Sequence, residues 1–332
     1  MKVHMNRENK MVLGIDLGGT KILTAVIDAH GQVLGRDHSI TPAALGPAAV
    51  LEAIARSAER AMDQSQRKIT QMAAIGIGAP GPSNPQTGII YTSPNLPGWE
   101  QLPIQQVLQE RYEQEIFLIN DANAAALAEH RFGAGLGTRN MIYLTISTGI
   151  GGGLILDGRL YTGAIGTAGE LGHMTILADG PLCNCGNMGC WEALASGTAL
   201  AREARRVVDH GTQTLIGSLV QGDSQKITAR TVQDAAEQGD TVALDLVERT
   251  AQYLGIGLAN LLNVFNPELI VMGGGLTNLG GRFLESAYAT AKSRAYRIAW
   301  DAARFRLASL GRNSGVLGAA AYAFDRLKKP NA

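Results

Sequence analysis

The sequence predicts an α/β protein with mixed sheets that is built from two similar halves. Apolar segments of strand length alternate with amphipathic segments of helix length along its 332 residues. Each half opens with an apolar strand that runs into a glycine-rich turn, at residues 11–21 and again at residues 141–153. A chain of this length is also long enough for two domains of ordinary size. We therefore expect a duplicated α/β fold.

The first half is predicted to begin with an antiparallel meander of three strands. These strands are residues 11–16, 22–28 and 32–40. A helix follows at residues 48–64, where apolar side chains recur on one face. The other predicted strands are residues 73–79, 115–120, 141–148, 268–272 and 305–310, and the other predicted helices begin at residue 121 or span residues 191–208, 228–238, 241–263, 282–296 and 315–327.

The strand at residues 73–79 raises one competing interpretation. Gly76, Gly78 and Gly81 match the glycine spacing of the dinucleotide-binding fingerprint. That fingerprint requires a helix directly after the strand, and the prolines at positions 80, 82 and 85 prevent one. We therefore do not expect a dinucleotide site here.

Composition excludes several classes of protein. The 29 Lys and Arg residues are balanced by 29 Asp and Glu residues, so the chain lacks the basic excess that nucleic-acid binding needs. Its N-terminal residues are not followed by the apolar segment of an export signal, and no apolar run reaches the length of a membrane span. We expect a cytoplasmic protein with no nucleic-acid or membrane partner.

All three cysteines and one histidine fall within residues 173–190. His173, Cys183, Cys185 and Cys190 supply three thiolates and one imidazole, which is the donor set of a closed, structural zinc site. Gly186 and Gly189 lie between these ligands, where tight folding around an ion needs positive φ angles. Buried, metal-free cysteines are the alternative, whereas a disulfide is disfavoured because three cysteines cannot all pair.

Two glycine-rich turns are candidate phosphate sites. Residues 16–21 (Asp-Leu-Gly-Gly-Thr-Lys) and residues 148–153 (Thr-Gly-Ile-Gly-Gly-Gly) each follow an apolar strand. Glycines let backbone amides approach a phosphate closely. One such turn is compatible with a plain hairpin, but one in each half indicates a site that holds a triphosphate.

Carboxylates form a third group of candidates. Asp121 lies at a strand-to-helix junction, where it is either a helix N-cap or the base that accepts a hydroxyl proton during phosphoryl transfer. Glu170 and Glu192 flank the cysteine cluster, and such groups recognise polyols through hydrogen bonds unless they are merely surface residues. If one ring nitrogen of His173 binds zinc, the other stays available for a sugar hydroxyl.

Taken together, these motifs resemble the ROK sugar kinases (repressor, open reading frame, kinase), which have the two-lobed actin-like ATPase and hexokinase fold with duplicated ribonuclease H-like domains. The matching segments, in the family's order, are residues 16–21, 78–82, 120–129, 148–153, 169–174, 183–192 and 273–275. Residues 93–99 are most similar to the bacterial glucokinase branch. The resemblance covers nearly the whole chain from Met11.

The resemblance implies the role of each site residue. It implies Asp121 as catalytic base, with the sugar held by Asn95, Asn120, Asp121, Glu170, His173 and Glu192 and zinc held by His173, Cys183, Cys185 and Cys190. It implies that ATP and Mg²⁺ are bound by Asp16, Gly18, Gly19, Thr20, Lys21, Thr148, Gly149, Gly151 and Gly152, with Gly274 and Gly275 near the adenosine. It also implies a homodimer.

We therefore expect an ATP-dependent glucokinase that makes glucose 6-phosphate. A kinase for N-acetylmannosamine, N-acetylglucosamine or fructose is the first alternative, and a non-catalytic sugar sensor is the second. Only about ten residues precede the first strand, so we expect no DNA-binding domain of the kind that the family's repressors carry. We expect a smaller lobe at residues 11–120, a larger lobe at residues 121–314, and a final helix near residues 315–327 that packs back on the smaller lobe.

Overall fold

The computed structural model describes residues 10–93 and 95–328. Its strands are β1 (Met11–Leu17), β2 (Lys21–Asp28), β3 (Val33–Ile40), β4 (Met72–Ala79), β5 (Ser83–Asn84), β6 (Ile89–Thr92), β7 (Glu100–Leu102), β8 (Ile116–Asn120), β9 (Met141–Ile146), β10 (Ile150–Leu156), β11 (Arg159–Tyr161), β12 (Leu269–Gly273) and β13 (Arg304–Leu307). Its helices are α1 (Pro47–Ser65), α2 (Ile104–Tyr112), α3 (Asp121–Phe132), α4 (Trp191–Ala195), α5 (Gly197–Asp209), α6 (Leu215–Leu219), α7 (Ala229–Glu237), α8 (Thr241–Phe265), α9 (Gly281–Arg294), α10 (Arg297–Ala302) and α11 (Ser314–Arg326).

Two sequence predictions extend beyond these residues. The first is the expectation that the N-terminal residues contain no export signal, because residues 1–9 lie outside the described ranges. The second is the similarity of residues 93–99 to glucokinases, because Pro94 lies outside them as well. Within the described ranges, no helix is both long enough and apolar enough to cross a membrane.

Backbone contacts divide the chain into two compact units. The first consists of the chain up to Arg139, Gly153–Gly169 and the chain from Ala308 onward, and the second consists of Asn140–Gly152 and Glu170–Leu307. The lobe boundaries expected from the sequence, at residues 120 and 314, stay predictions.

The first unit is built on a sheet of order β3-β2-β1-β4-β8. The expected meander is confirmed, because β1 and β3 both pair with β2 in antiparallel register, whereas β4 joins β1 and β8 joins β4 in parallel. Alternate residues of β1 point to opposite faces. Leu13 and Ile15 join the core beneath α1, while Val12 joins the core formed with α11.

Helix α11 approaches the first sheet unusually closely. A Cβ atom on Gly14 of β1 would lie 2.5 Å from the carbonyl oxygen of Val316, and one on Gly76 of β4 would overlap Ala319. Glycine at these two strand positions therefore lets the helix backbone rest directly on the sheet. Small residues also dominate the facing surface of α11, where Ala319, Ala320 and Ala323 are fully buried.

The second unit contains the 25-residue helix α8 and the strands β9, β12 and β13, which belong to a sheet of order β11-β10-β9-β12-β13. Asp240 caps the N-terminus of α8 by accepting from the Ala243 amide at 2.7 Å. The helix ends at Phe265, just before Pro267, which confirms the predicted break. Trp191 packs against Gly257 of α8, and its indole N–H donates to the Tyr253 carbonyl at 3.0 Å.

Several elements differ from the sequence predictions. The single helix expected at residues 191–208 is two helices, because Ser196 leaves the helical conformation and its hydroxyl caps α5 by accepting from the Ala199 amide at 3.1 Å. The helix expected at residues 282–296 ends at Arg294, and α10 follows it. The small sheet of order β5-β6-β7 and helices α2 and α6 were not predicted. Strand β5 after the proline segment confirms that no dinucleotide-type helix starts there.

Candidate active site

The turn between β1 and β2 carries the first predicted phosphate-binding residues. It is closed by a hydrogen bond from the Gly18 amide to the Lys21 carbonyl at 2.8 Å. The Thr41 hydroxyl donates to the Gly18 carbonyl at 2.7 Å and fixes the turn from outside. A Cβ atom on Gly19 would lie 2.7 Å from both Cβ and the carbonyl oxygen of Asn95, so glycine is needed for these two segments to pack together. The structure thus brings the turn beside the predicted sugar ligand Asn95.

Asp16 lies at the end of β1, directly before this turn. Burial and, to a smaller extent, the negative charge of Asp121 together raise the pKa of Asp16 to about 7. A Cβ atom on Gly315, in the first turn of α11, would overlap the Asp16 carboxyl group. The glycine at the start of α11 therefore makes room for this carboxylate, and the fold brings two carboxylates of the predicted site near each other.

Asn120 and Asp121 lie at the junction of β8 and α3, where the sequence allowed either a helix N-cap or a catalytic base. Asn120 is the N-cap of α3, because its side-chain oxygen accepts from the amides of Ala122 at 3.0 Å and Asn123 at 3.1 Å. Its side-chain amide donates to the Gly81 carbonyl at 3.3 Å. Asp121 is instead the first residue of α3, is exposed, and accepts from the Ala122 amide at 2.8 Å through Oδ1. The capping function therefore belongs to Asn120 rather than to Asp121.

The second glycine turn connects β9 to β10 in the second unit. Its backbone is closed by a hydrogen bond from the Ser147 amide to the Gly149 carbonyl at 2.9 Å. The Ile150 amide donates to Oε2 of Glu192 at 2.8 Å. A Cβ atom on Gly149 would overlap the same carboxylate, so the turn closes on Glu192 only because position 149 is glycine. One predicted sugar ligand thus lies directly against the predicted phosphate turn.

A cavity of about 430 Å³ opens beside this turn, within the second unit. Thr148 and Gly275 of the predicted nucleotide site line this cavity. Gly274, the residue before Gly275, has a φ of 93°, which favours glycine. The other polar walls of the cavity come from helices α5 and α7 and the short helix after Gly274, and they include Arg205, Arg230, Gln233 and Asn278. The volume falls within the range of small-molecule sites. Sequence reasoning missed these four residues.

Glu170 and His173 lie together at a short 3-10 helix, Leu171–His173. Nε2 of His173 is 3.9 Å from Oε2 of Glu170, while Nδ1 faces the cysteine cluster at 3.7 Å from Sγ of Cys183. Burial raises the pKa of Glu170, Glu192 adds to that rise, and His173 opposes it. The imidazole therefore presents one nitrogen to the cysteines and the other to a carboxylate.

The four predicted zinc ligands converge. Their donor atoms all lie within 4.8 Å of one another. Sγ of Cys185 and Sγ of Cys190 are 3.7 Å apart, and Sγ of Cys183 and Nδ1 of His173 are 3.7 Å apart. In a tetrahedral site with Zn–S of about 2.3 Å and Zn–N of about 2.0 Å, such pairs lie about 3.8 and about 3.5 Å apart. The donor set and its spacing therefore fit one tetrahedral zinc ion.

The loop around this cluster is folded by backbone pairing and two glycines. Isolated bridges join Leu182 to Met188 and Thr175 to Cys190. Gly186 and Gly189 have φ angles of 91° and 68°, as the sequence predicted for positions between the ligands. A Cβ atom on Gly189 would also overlap the Leu177 carbonyl, so both the φ angle and the packing at this position require glycine.

The thiols of the cluster differ in electrostatic environment. Burial raises the pKa of Cys183 to about 12 and also raises that of Cys190, whereas a hydrogen bond from the Asn187 backbone lowers the pKa of Cys185. A bound dication reverses the effect of burial, because a coordinating thiol loses its proton.

The predicted site residues thus fall into two groups, one in each unit. Asp16, Gly18, Gly19, Thr20, Lys21, Asn95, Asn120 and Asp121 belong to the first unit, and Thr148, Gly149, Gly151, Gly152, Glu170, His173, Cys183, Cys185, Cys190, Glu192, Gly274 and Gly275 belong to the second. The sequence model described as ROK family matches residues 12–326. The chain belongs to the ROK family.

Individual ROK proteins resemble the chain over most of its length. A glucokinase from Halalkalibacterium halodurans is 36% identical over 312 residues, which cover 93% of this chain and 94% of that protein. The solved ROK hexokinase from Thermus thermophilus is 41% identical with a TM-score of 0.83, over 96% of this chain and 99% of that one. A ROK glucokinase from Streptomyces griseus, solved with glucose and AMPPNP, is 34% identical with a TM-score of 0.77, over 93% and 98% of the two chains. The predicted actin-like ATPase and hexokinase fold is confirmed.

Proposed function

We propose that this ROK protein is an ATP-dependent glucokinase that converts glucose and ATP to glucose 6-phosphate and ADP. The observation that carries this proposal is the similarity to the Streptomyces griseus glucokinase, which was solved with glucose and an ATP analogue and which this chain matches along almost its whole length. The 36–37% identity to two further glucokinases supports the same sugar.

Asp121 is the proposed catalytic base. One of its carboxylate oxygens accepts from the Ala122 amide, which fixes the direction of the carboxylate at the start of α3. In this mechanism Asp121 accepts the proton of the 6-hydroxyl as that oxygen attacks the γ-phosphorus of ATP. Asn120 caps the helix with its side-chain oxygen and so holds the backbone that carries the base.

Asp16 is the proposed carboxylate for the Mg²⁺ of MgATP. Magnesium neutralises the charge that develops on the phosphate oxygens during transfer. The high pKa of Asp16 reflects burial and the nearby charge of Asp121, and a cation is the group that such a pair of carboxylates favours. Residues 18–21 and 148–152 supply the backbone amides and hydroxyls proposed to bind the phosphates.

The proposed glucose ligands are Asn95, Asn120, Asp121, Glu170, His173 and Glu192. In the second unit, Glu170 and His173 lie 3.9 Å apart, and Glu192 is held by the Ile150 amide. Carboxylates, two amides and an imidazole in defined positions can together donate to and accept from several hydroxyl groups, and this allows a site to distinguish sugars by their stereochemistry.

The cavity of about 430 Å³ is the proposed site of the adenosine group. It adjoins Thr148 of the phosphate turn and contains Gly275. Arg205 is anchored there by a hydrogen bond to the Ile227 carbonyl at 2.7 Å, and the Gln233 amide donates to the Asn278 carbonyl at 2.9 Å. These contacts give the polar walls defined positions before a nucleotide enters.

We further propose a structural zinc ion held by His173, Cys183, Cys185 and Cys190, which would keep the imidazole oriented toward Glu170. A homodimer and a cytoplasmic location stay predictions from the sequence.

A coupled assay of ADP formation across glucose, N-acetylmannosamine, N-acetylglucosamine, fructose and mannose tests the proposal. We expect kcat/KM for glucose to exceed that for each other sugar by at least about tenfold, because a missing or displaced hydroxyl leaves hydrogen-bonding groups of the site without a partner. Preference for an N-acetylated sugar or fructose would favour the first alternative. Sugar binding without ADP release would instead favour a non-catalytic sensor.

A further inference from the structure

The zinc-ligand cluster contains one cysteine that solvent can reach. Cys185 is exposed, whereas Cys183 and Cys190 are buried. Sγ of Cys185 lies 3.7 Å from Sγ of Cys190. A disulfide requires about 2.05 Å, so the two sulfur atoms need to approach by about 1.7 Å. An oxidant in solution thus has access to one sulfur, and its partner is already adjacent.

The segment between these cysteines is short, and it is open to solvent at Cys185. It is only four residues long and contains Gly186 and Gly189, which both have positive φ angles. A Cβ atom on Gly186 would meet nothing within 4 Å, so there is open space directly beside Cys185. Cys185 can therefore move toward Cys190 without displacing the core of the second unit.

We infer that Cys185 and Cys190 are a redox modification site, at which a hydroperoxide forms a reversible disulfide and releases the zinc ion. This inference rests on the proposed zinc site. The positions of the three cysteines favour this pair over a disulfide that includes Cys183. Cys183 is buried beside His173, and its separation from Cys185 by one residue would make a strained disulfide ring.

The chemistry balances with a hydroperoxide as the oxidant. The Cys185 thiolate attacks one oxygen of hydrogen peroxide, the O–O bond breaks, hydroxide leaves, and Cys185 becomes a sulfenic acid. The Cys190 thiolate then attacks the Cys185 sulfur, an S–S bond forms, and a second hydroxide leaves. The two cysteines lose two electrons in total, the peroxide gains them, and two protons from solvent complete two molecules of water.

Loss of the metal follows from the donor count. The disulfide removes two of the four ligands, and His173 and Cys183 alone do not form the closed tetrahedral site. His173 then loses the contact that orients its ring toward Glu170. Oxidation therefore affects His173 and Glu170, which belong to the proposed sugar ligands. The cavity that adjoins Thr148 contains no residue of segment 173–190.

The test exposes the zinc-loaded, full-length protein to hydrogen peroxide and follows zinc release with a colorimetric chelator. Free thiols are alkylated, and peptides are mapped without reduction. We expect one zinc released for each Cys185–Cys190 disulfide, and recovery of zinc binding after dithiothreitol and zinc are added. A disulfide that includes Cys183, or zinc loss with only irreversible sulfinic acid, would overturn the inference.

The variant Cys185→His separates the disulfide from general damage. It keeps four zinc donors, with two thiolates and two imidazoles, but it cannot form the disulfide. We expect it to bind zinc as purified and to release zinc at least about tenfold more slowly under peroxide. Equal release rates in variant and parent would contradict the inference. The zinc and disulfide measurements do not depend on which sugar is phosphorylated, so they would not change if the glucokinase assignment were wrong. If the parent protein never binds zinc, the proposed zinc site itself is refuted.

Discussion

Asp121 is the residue on which the proposed chemistry depends most. We expect Asp121→Asn to lower kcat by about 10²–10⁴-fold, because the amide cannot accept the hydroxyl proton, while it keeps the size of the side chain and its place at the start of α3. Steady-state kinetics with glucose and ATP would measure the loss. Asp301→Asn, an exposed change in α10, is the matched control and should retain full activity. Turnover within a few-fold of the parent would remove Asp121 from the role of base.

Asp37 illustrates a different residue-scale effect, on stability. Burial alone would raise its pKa, but hydrogen bonds from Arg60, Ser39 and Ser57, together with the charge of Arg60, lower the pKa of Asp37 to about 2. The Arg60 contacts measure 2.8 and 3.1 Å, and the Ser57 hydroxyl is 2.8 Å away. Because the folded pKa lies below the unfolded value of about 3.9, the stabilisation is present above pH 4 and is lost as pH falls toward 2.

We therefore expect Asp37→Asn to lower the free energy of unfolding at pH 6 by on the order of 1 kcal/mol, after allowance for solvent screening of this pair. The difference between variant and parent should shrink as pH falls from 4 to 3. Urea unfolding at several pH values would measure it, with Asp301→Asn as a control that shows little pH-dependent difference. A gap that stays constant from pH 6 to pH 3 would contradict the assignment of this effect to ionisation.

At the scale of elements, the sequence predicts helices and strands well where the apolar pattern extends over many residues. It fails where a single side chain determines where a helix ends. Helices α1 and α8 and the buried strand β4 have clear periodic or continuous apolar patterns, and the structure confirms them within a few residues. The break between α4 and α5 was missed because the apolar pattern continues through Ser196, and only its capping hydrogen bond ends the helical conformation. Strands of two to four residues, such as β5 and β6, are too short to show a period.

The contact between α11 and α3 is the element-scale feature that most needs small residues. A Cβ atom on Gly318 of α11 would overlap the backbone of Ala124, in the helix that also carries Asp121. We expect Gly318→Ala to lower the free energy of unfolding by about 1–3 kcal/mol, since the two backbones would have to separate. Gly281→Ala at the start of α9 is the control, because its new Cβ would meet only the Glu285 side chain at 3.7 Å. Urea unfolding that shows equal stability for the two variants would contradict this account.

At the scale of the molecule, the parts of the site that sequence reasoning found are those whose residues lie close together in the chain. All four proposed zinc donors lie within residues 173–190, and each glycine turn is a single short segment. The walls of the cavity proposed for adenosine come instead from α5, α7 and the helix after Gly274. Arg205, Gln233 and Asn278 are ordinary residues for exposed helix surfaces, so their types gave no local signal. Only the fold brings them to one cavity.

The proposed zinc ligands and the cavity proposed for adenosine have no residue in common, which leads to a prediction about the whole enzyme. His173 of the cluster lies beside Glu170, and Glu192 is the second residue of α4, the helix that follows Cys190. The cavity walls, by contrast, include no residue of segment 173–190. We expect removal of zinc by a chelator to weaken glucose binding by about 10–100-fold and to change binding of a non-hydrolysable ATP analogue by less than about threefold.

Isothermal titration calorimetry of each ligand with metal-loaded and metal-stripped protein would measure both affinities, and circular dichroism would verify that the stripped protein stays folded. Cys185→Ser should reproduce the chelator's effect, because it removes one of the four donors. Restored glucose affinity after zinc is added back to the parent protein, but not to the variant at equal zinc, would assign the effect to this cluster. A loss of both affinities to the same extent would instead mean that zinc supports the folding of the whole second unit rather than the sugar-binding side chains.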